Sequence, residues 1–186
     1  MYIKVFLLFT LLFLGCSVPQ PTVQETNVKV RTLENLIVTL SPSIQKKEAL
    51  DFAQGSIAYS YQLAKEYEVL PSPWWHNTFV NVGIKKRGLC HEWAEDLLRF
   101  LVQRDYKTLE LHAVGANIGY FNEHNALSVS ARGKGIRKSI LLDAWRNSGN
   151  LYFIQIDKDS KYKWSERFNL YGILPPSGGK KGKTIF

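Results

Sequence analysis

The sequence contains little cysteine, with two cysteines among 186 residues. Two cysteines exclude a framework of several disulfide bonds, and no C-x-x-C or H-x-x-x-H pair offers the ligand spacing of a zinc site. Long apolar runs are also lacking: residues 5–14 form an apolar stretch of about ten residues, too short to cross a membrane as a helix. We therefore expect no metal site, no cofactor and no transmembrane helix.

The first fifteen residues have the composition of a secretory signal peptide. Lys4 supplies a basic start, the apolar stretch follows it, and the segment ends at Gly15. Leu14-Gly15-Cys16 resembles the lipobox of bacterial lipoproteins, in which the cysteine sulfur is diacylated and becomes the new N-terminus. Each buried acyl CH₂ contributes ~0.8 kcal/mol, so two or more chains anchor a protein stably. The resemblance implies lipidation at Cys16, and Ser17 after it implies an outer-membrane location facing the periplasm.

Acidic residues are fewer than basic ones, with 16 Asp and Glu against 24 Lys and Arg, which gives a formal net charge of +8 at pH 7. Outside the cytoplasm, a basic surface faces anionic lipid headgroups or the carboxylates of cell-wall peptides more readily than nucleic acid. An ordinary solvated surface explains the charge equally well. We expect no nucleic-acid partner.

Domain organisation follows from the composition along the chain. Residues 16–30 carry the lipidated cysteine and a segment without apolar periodicity, which predicts a flexible tether. Residues 31–174 are long enough for one domain with its own core. Residues 175–186 are polar and basic and predict a flexible tail.

The predicted elements indicate an α+β fold. Helical spacing of apolar residues predicts one helix over residues 43–69 and a second, strongly amphipathic helix over residues 89–101. Four β-type runs follow, at residues 109–114, 125–129, 139–144 and 152–156. Helices that precede an antiparallel meander are typical of the α+β class.

Cys90 begins the amphipathic helix, directly after Gly88-Leu89. The unpaired N–H groups of a first helical turn favour the thiolate form of a cysteine and can also bind a developing oxyanion. With Cys16 acylated, Cys90 has no partner within the chain, and a free thiol in an oxidising compartment is either buried or used. We interpret Cys90 as a nucleophile, with a buried structural cysteine as the alternative.

A thiol nucleophile requires a base, and His124 has the best predicted position. Residues 132–135 predict a turn between two strands, and a hairpin centred on Gly133 and Lys134 would place His124 directly opposite Asp143. A carboxylate at that distance can hold an imidazole in the required tautomer. This register predicts a Cys90–His124–Asp143 triad.

Other histidines and aromatic residues have weaker signals. His91 would project about 100° away from Cys90 around the helix and could line the cleft. Trp75 and His76 could border the substrate groove or the oxyanion, although core packing and a packed loop histidine explain them equally well. We expect His112, within a predicted strand, to be a structural histidine with satisfied hydrogen bonds.

Three blocks in order resemble the transglutaminase-like superfamily of cysteine proteases, which has a papain-type fold. Gly88-Leu89-Cys90 resembles its Gly-x-Cys helix start, His124-Asn125-Ala126-Leu127 its histidine at a strand start, and Leu141-Leu142-Asp143 its aspartate at the end of the next strand. The match covers roughly residues 83–147. It implies a Cys-bearing helix packed on an antiparallel sheet that bears the histidine and the aspartate.

The implied chemistry is acyl transfer at an amide or peptide bond through a thioester. Water as acceptor gives a peptidase or amidase, which we favour, and cell-wall peptides are candidate substrates by location. An amine as acceptor gives a transglutaminase. A third hypothesis is a non-catalytic lipoprotein that uses the same fold to bind a cell-wall or protein partner.

Overall fold

The structure, a computed structural model, describes residues 21–167. The predicted signal peptide at residues 1–15, the predicted lipidation site Cys16 and the predicted tail at residues 175–186 lie outside the described residues. Within residues 21–167, no helix is both long enough and apolar enough to cross a membrane.

The first helix, α1 (Val23–Val38), begins inside the segment predicted to be a tether. Thr22 caps it: the Thr22 hydroxyl accepts from the Glu25 N–H at 3.2 Å, and the Glu25 carboxylate accepts from the Thr22 N–H at 2.8 Å. Three apolar side chains on one face are buried: Val30, Leu33 and Ile37. The prediction of a flexible tether over residues 16–30 is therefore wrong from residue 23 onward, because this capping box starts a helix whose apolar face joins the core.

Three further helices follow α1. The second, α2 (Lys46–Glu66), agrees with the helix predicted over residues 43–69. The third, α3 (Pro73–Asn81), is a short helix for which the sequence analysis predicted no element, and Pro73 stands in its first turn, where a missing N–H costs nothing. The fourth, α4 (Cys90–Val102), begins at the cysteine and buries one face: Trp93, Ala94, Leu97, Leu98 and Leu101.

Five strands follow the helices: β1 (Leu109–Ala116), β2 (His124–Ala131), β3 (Ser139–Asp143), β4 (Tyr152–Gln155) and β5 (Ser165–Glu166). They form one antiparallel sheet in the order β4-β3-β2-β1-β5. The first four strands make the predicted meander. The fifth returns to the opposite edge and pairs with β1, which was not predicted because two residues carry no periodic signal. The α+β class is confirmed.

The sheet has a helix-covered side and an outer side. Residues 127, 129 and 131 of β2 point to the helices and join a large core with Trp93 and Leu97 of α4. Alternate side chains point the other way and form a smaller cluster, composed of Val114, Ala126, Leu141 and Ile156. Both sides of β2 are thus buried, so its position at the centre of the sheet is fixed by packing.

The register between β2 and β3 differs from the predicted one by two residues. Leu127 pairs with Leu142 and Ser130 with Ser139, so Asp143 lies opposite position 126 and not opposite His124. The difference arises because a 3-10 turn (Ile136–Lys138) lengthens the connection. A shift of two preserves the side of the sheet to which each side chain points, whereas a shift of one reverses it. His124 and Asp143 therefore remain on one side as diagonal neighbours.

Candidate active site

Cys90 is the first residue of α4, and Glu92 fixes the backbone around it. The Glu92 carboxylate accepts from the N–H groups of Gly88 and Leu89 at 2.7 and 2.9 Å, which holds the chain in place as it enters the helix. The N–H groups of a first helical turn have no acceptor within the helix. The Cys90 thiol is partly exposed, and its Sγ lies 3.9 Å from the carbonyl oxygen of Glu123. The thiol is accessible and lies at the start of a helix whose entry is fixed by Glu92.

His76 supports the segment that leads into Cys90. Its Nε2 donates to the Arg87 carbonyl at 2.8 Å, and its Nδ1 accepts from the Leu70 N–H at 3.3 Å. The ring is fully buried and lies directly against Gly88, where a Cβ would stand 2.2 Å from His76 Nε2 and where φ is +127°. Both ring nitrogens are hydrogen-bonded to backbone groups, so His76 positions this segment. The ring has no N–H left for an oxyanion, which differs from the role predicted for it.

His124 and Asp143 form a buried hydrogen-bonded pair. His124 Nε2 donates to Asp143 Oδ2 at 2.7 Å, and both side chains are almost completely buried. Burial lowers the pKa of His124, but hydrogen bonds and charge interactions with Asp143 and Cys90 outweigh it and raise the pKa to about 9. Since Nε2 is bonded to Asp143, Nδ1 is the ring nitrogen left for the Cys90 thiol, whose charge contributes to the raised pKa. The imidazole thus stands between the carboxylate and the thiol.

Arg146 links Asp143 to a second buried carboxylate. Its N–H and Nε donate to the two oxygens of Asp143 at 3.0 and 2.9 Å, and its two terminal nitrogens donate to Asp159 at 3.2 and 2.8 Å. Burial alone would raise the pKa of Asp159, but hydrogen bonds from Arg146 and Trp164 lower it below its usual value. The Asp143 carboxylate is therefore fixed from two directions, by His124 and by Arg146.

Aromatic side chains surround the His124 ring. The ring centroids of Trp145 and Tyr162 lie 4.8 Å from it, and that of Trp164 lies at 5.4 Å. Trp145 is held by a hydrogen bond from its Nε1 to Asn77 of α3 at 2.9 Å. This apolar enclosure keeps water from the His124–Asp143 bond, which strengthens the electrostatic interaction between them.

Trp75 and His91, which were predicted to border a substrate groove, are exposed, as are two neighbouring aromatic residues. Trp75 is exposed on α3, together with Trp74, whose ring packs edge-on against Trp145 at 6.1 Å. Tyr120 is exposed in the loop between β1 and β2, which leads to His124. His91 is exposed on α4, one residue after Cys90. Trp74 thus connects the exposed surface of α3 to the aromatic enclosure of His124.

Asn125 and Arg167 also lie at the site, and the sequence interpretation missed both. Asn125 Nδ2 is 4.0 Å from Cys90 Sγ, and Arg167 Nη1 donates to Asn125 Oδ1 at 2.6 Å. Arg167 also forms an ion pair with Glu123, whose carbonyl faces the thiol. Asn125 could have been noticed as the neighbour of His124, but Arg167 is 42 residues further along and has no signal in a single sequence.

His112 lies in the same sheet with all its hydrogen bonds made. Its Nδ1 bonds to the Glu166 carboxylate at 2.7 Å and its Nε2 to the Ser130 hydroxyl at 2.8 Å. This agrees with our interpretation of His112 as a structural histidine. In residues 21–167, no group of three or more His, Cys, Asp or Glu side chains is arranged to hold a metal ion.

Comparisons with models of known protein families, with curated proteins and with solved structures each found no match. The functional interpretation therefore rests on the chemistry of the site.

Proposed function

We propose that this protein is a thiol hydrolase that cleaves amide or peptide bonds, with Cys90 as nucleophile, His124 as acid and base, and Asp143 as the group that orients His124. The observation that carries the proposal is the buried His124–Asp143 bond, 2.7 Å long through Nε2, beside a helix that starts at Cys90, whose charge contributes to the raised pKa of His124. The resemblance to the transglutaminase-like, papain-type fold supports the same roles.

Acylation follows from the charges of the pair. With the pKa of His124 at about 9, the imidazolium is the resident form at neutral pH, so the proton that the leaving amine needs is already on the ring. The sulfur attacks the amide carbonyl carbon, the S–C bond forms, and the carbonyl electron pair moves to oxygen. The C–N bond then breaks as His124 gives its proton to the leaving amine. The acylated sulfur is neutral, so one of the charges that raises the pKa of His124 disappears, which favours this proton transfer.

Hydrolysis completes the cycle. Cys90 is partly exposed, so water can reach the thioester. His124, now neutral, takes a proton from that water as it attacks, and the C–S bond breaks with its electron pair on the Cys90 sulfur, which gives the carboxylic acid and restores the imidazolium. The lipobox at Cys16 supports an envelope location, where the peptides of the cell wall are the candidate substrates.

The experiment is the alkylation rate of Cys90 by iodoacetamide between pH 5 and pH 10, in the soluble domain from residue 18 onward. We expect fast alkylation at pH 6 in the wild type and a loss of at least about tenfold in His124→Ala, because the imidazole that activates the sulfur is gone. His91→Ala is the matched control: it removes an exposed imidazole beside Cys90 and should leave the rate unchanged.

An ordinary thiol profile, equal in the wild type and in His124→Ala, would overturn the proposal. The non-catalytic binding lipoprotein would then be the better explanation of the fold. If alkylation depends on His124, release of an amine from envelope peptides at neutral pH tests the hydrolytic step itself.

A further inference from the structure

The side-chain amide of Asn125 faces the reacting thiol from the side of β2 opposite to His124. We propose that Asn125 donates a hydrogen bond to the oxyanion that forms when Cys90 attacks a carbonyl, and that Arg167 positions the amide for this role. The inference rests on the acyl-transfer function proposed above and adds a catalytic residue to it.

The position of Asn125 follows from strand alternation. His124 points to the outer side of the sheet, where it meets Asp143, and the next residue points to the helix-covered side, where α4 begins. Asn125 is buried, with 6% of its surface exposed, and its Nδ2 lies 4.0 Å from Cys90 Sγ. The imidazole and the amide thus approach one sulfur from two consecutive positions of β2.

Arg167 fixes the orientation of the amide. Its Nη1 donates to Asn125 Oδ1 at 2.6 Å, which identifies the oxygen end of the amide and leaves Nδ2 directed to Cys90. Its backbone N–H donates to the Ala113 carbonyl at 2.8 Å, which secures the residue beside β1. A cation on the amide oxygen also polarises the group and strengthens its N–H donors.

Gly115 provides the space that Arg167 needs. It is the direct cross-strand partner of Asn125 on β1. A Cβ at this position would lie 2.7 Å from Arg167 Cδ, so a larger residue would displace the arginine side chain. The absence of a side chain at Gly115 lets Arg167 cross β1 and reach the amide.

One amide hydrogen remains for an oxyanion. An NH₂ group has two donors, and one of them is directed to Glu123 Oε1 at 3.2 Å. The pKa of Glu123 is lowered, first by the hydrogen bond from the Gly119 N–H and then, against a smaller effect of burial, by Arg167 and Asn125, so this acceptor stays ionised. The second amide hydrogen is free to point to Cys90.

The distance between Asn125 Nδ2 and Cys90 Sγ leaves room for an oxyanion beside the sulfur. A separation of 4.0 Å is long for a bond to sulfur itself, but an oxygen that develops beside the sulfur can come within ~3 Å of Nδ2. The backbone N–H of Cys90, at the helix start, offers a second donor from the other element. The oxyanion that forms when the sulfur attacks a carbonyl would therefore lie between two donors, Asn125 Nδ2 and the backbone N–H of Cys90.

Two reagents separate this role from a general effect on the thiol. Iodoacetamide forms an S–C bond and expels iodide without placing charge on a carbonyl oxygen. p-Nitrophenyl acetate forms an S–C bond at the carbonyl, passes through an oxyanion and expels p-nitrophenolate, whose absorbance is measured. We expect Asn125→Ala to lower the rate of acylation about 10²-fold and to leave alkylation within about twofold of the wild type. Asn122→Ala, an exposed asparagine in the loop before β2, is the control and should change neither rate.

Arg167 variants test the positioning role without removing the donor. Arg167→Gln should lower acylation about tenfold with alkylation unchanged, and Arg167→Lys should restore part of that loss, because it keeps a cation beside the amide oxygen. A purely structural role would lower both rates together, and thermal melting of each variant reports any loss of folding.

The outcomes distinguish this inference from the function on which it rests. Equal loss of both rates in Asn125→Ala, or unchanged acylation, overturns the oxyanion role while Cys90 and His124 keep theirs. Alkylation that does not depend on His124 overturns the acyl-transfer function first. A wild type that is alkylated in a His124-dependent way but is not acylated by the ester overturns the acyl-transfer step and the inference together.

Discussion

Two histidine–carboxylate pairs lie in the same sheet, and they differ in what the second ring nitrogen does. In the His112–Glu166 pair, the second nitrogen is bonded to the Ser130 hydroxyl at 2.8 Å. In the His124–Asp143 pair, no protein hydrogen bond within the described residues occupies the second nitrogen, and the charge of Cys90 contributes to the raised pKa of the ring. Both carboxylates lie 2.7 Å from the ring, so the histidine–carboxylate bond does not by itself separate a structural pair from a catalytic one. The neighbour of the other nitrogen does.

The environments of the two carboxylates also differ. Asp143 has 1% of its side chain exposed and receives a guanidinium from Arg146, whereas Glu166 has 28% exposed and lies on the edge strand β5. A carboxylate that is buried and held from two sides orients its histidine rigidly. The His124 pair is therefore the more strongly preorganised of the two.

The strongest test of this difference is removal of each carboxylate charge in turn. Asp143→Asn should lower the rate of ester acylation on the order of 10³- to 10⁴-fold, because the imidazole loses the partner that sets its tautomer. Glu166→Gln, the matched change in the other pair, should leave acylation within about twofold. Burst kinetics with p-nitrophenyl acetate measure both rates. Equal losses in the two variants would refute the distinction between the pairs.

Arg146 should matter mainly through stability. Arg146→Ala leaves Asp143 and Asp159 as two buried carboxylates without their shared cation, so we expect the free energy of unfolding to fall by about 3–5 kcal/mol. Arg99→Ala, which breaks an exposed pair with Glu95 on α4, is the control and should cost less than about 0.5 kcal/mol. Urea denaturation measures both values, and a small effect at Arg146 would show that Asp143 does not depend on it.

The pH dependence of stability should show the smallest effect. The pKa of His124 is raised from its ordinary 6.5 to about 9, so its charged form stabilises the fold fully below pH 6.5, and this contribution is lost as the pH rises through about 9. The free energy of unfolding of the wild type should therefore fall on the order of 3 kcal/mol more than that of His124→Gln between pH 6 and pH 10, since one pKa unit corresponds to about 1.4 kcal/mol. Parallel curves for the two proteins would contradict a raised pKa at His124.

Periodic features could be predicted from the sequence. The apolar spacing of α2 and α4 corresponds to one buried face of each helix, and the β-type runs of β2 and β3 correspond to strands buried on both sides. The predicted register between β2 and β3, which placed His124 opposite Asp143, was wrong by two residues. The two side chains meet nevertheless, because both registers place them on the same side of the sheet.

Features that depend on distant or non-periodic contacts could not be predicted. The sequence around Thr22 predicts a polar linker, but the structure has a capping box there. A capping box stabilises a helix only when the helix also packs on a core, and the core that α1 covers comes from distant segments. Arg146 lies three residues after Asp143, but its second partner, Asp159, is fixed only by the path of the chain after β4. Arg167 reaches Asn125 only because β5 returns to β1 across Gly115.

The helix start at Thr22 limits how far the site can lie from a membrane anchor at Cys16. If Cys16 carries the lipid, six peptide units separate the anchor from the first folded residue, and even a fully extended chain of that length reaches only about 20 Å. That is less than the ~30 Å diameter of a small domain. The proposed hydrolase would then act only on substrates within about 50 Å of the bilayer surface, the reach of the tether plus the width of the domain, so its location would restrict its substrates as much as its chemistry does.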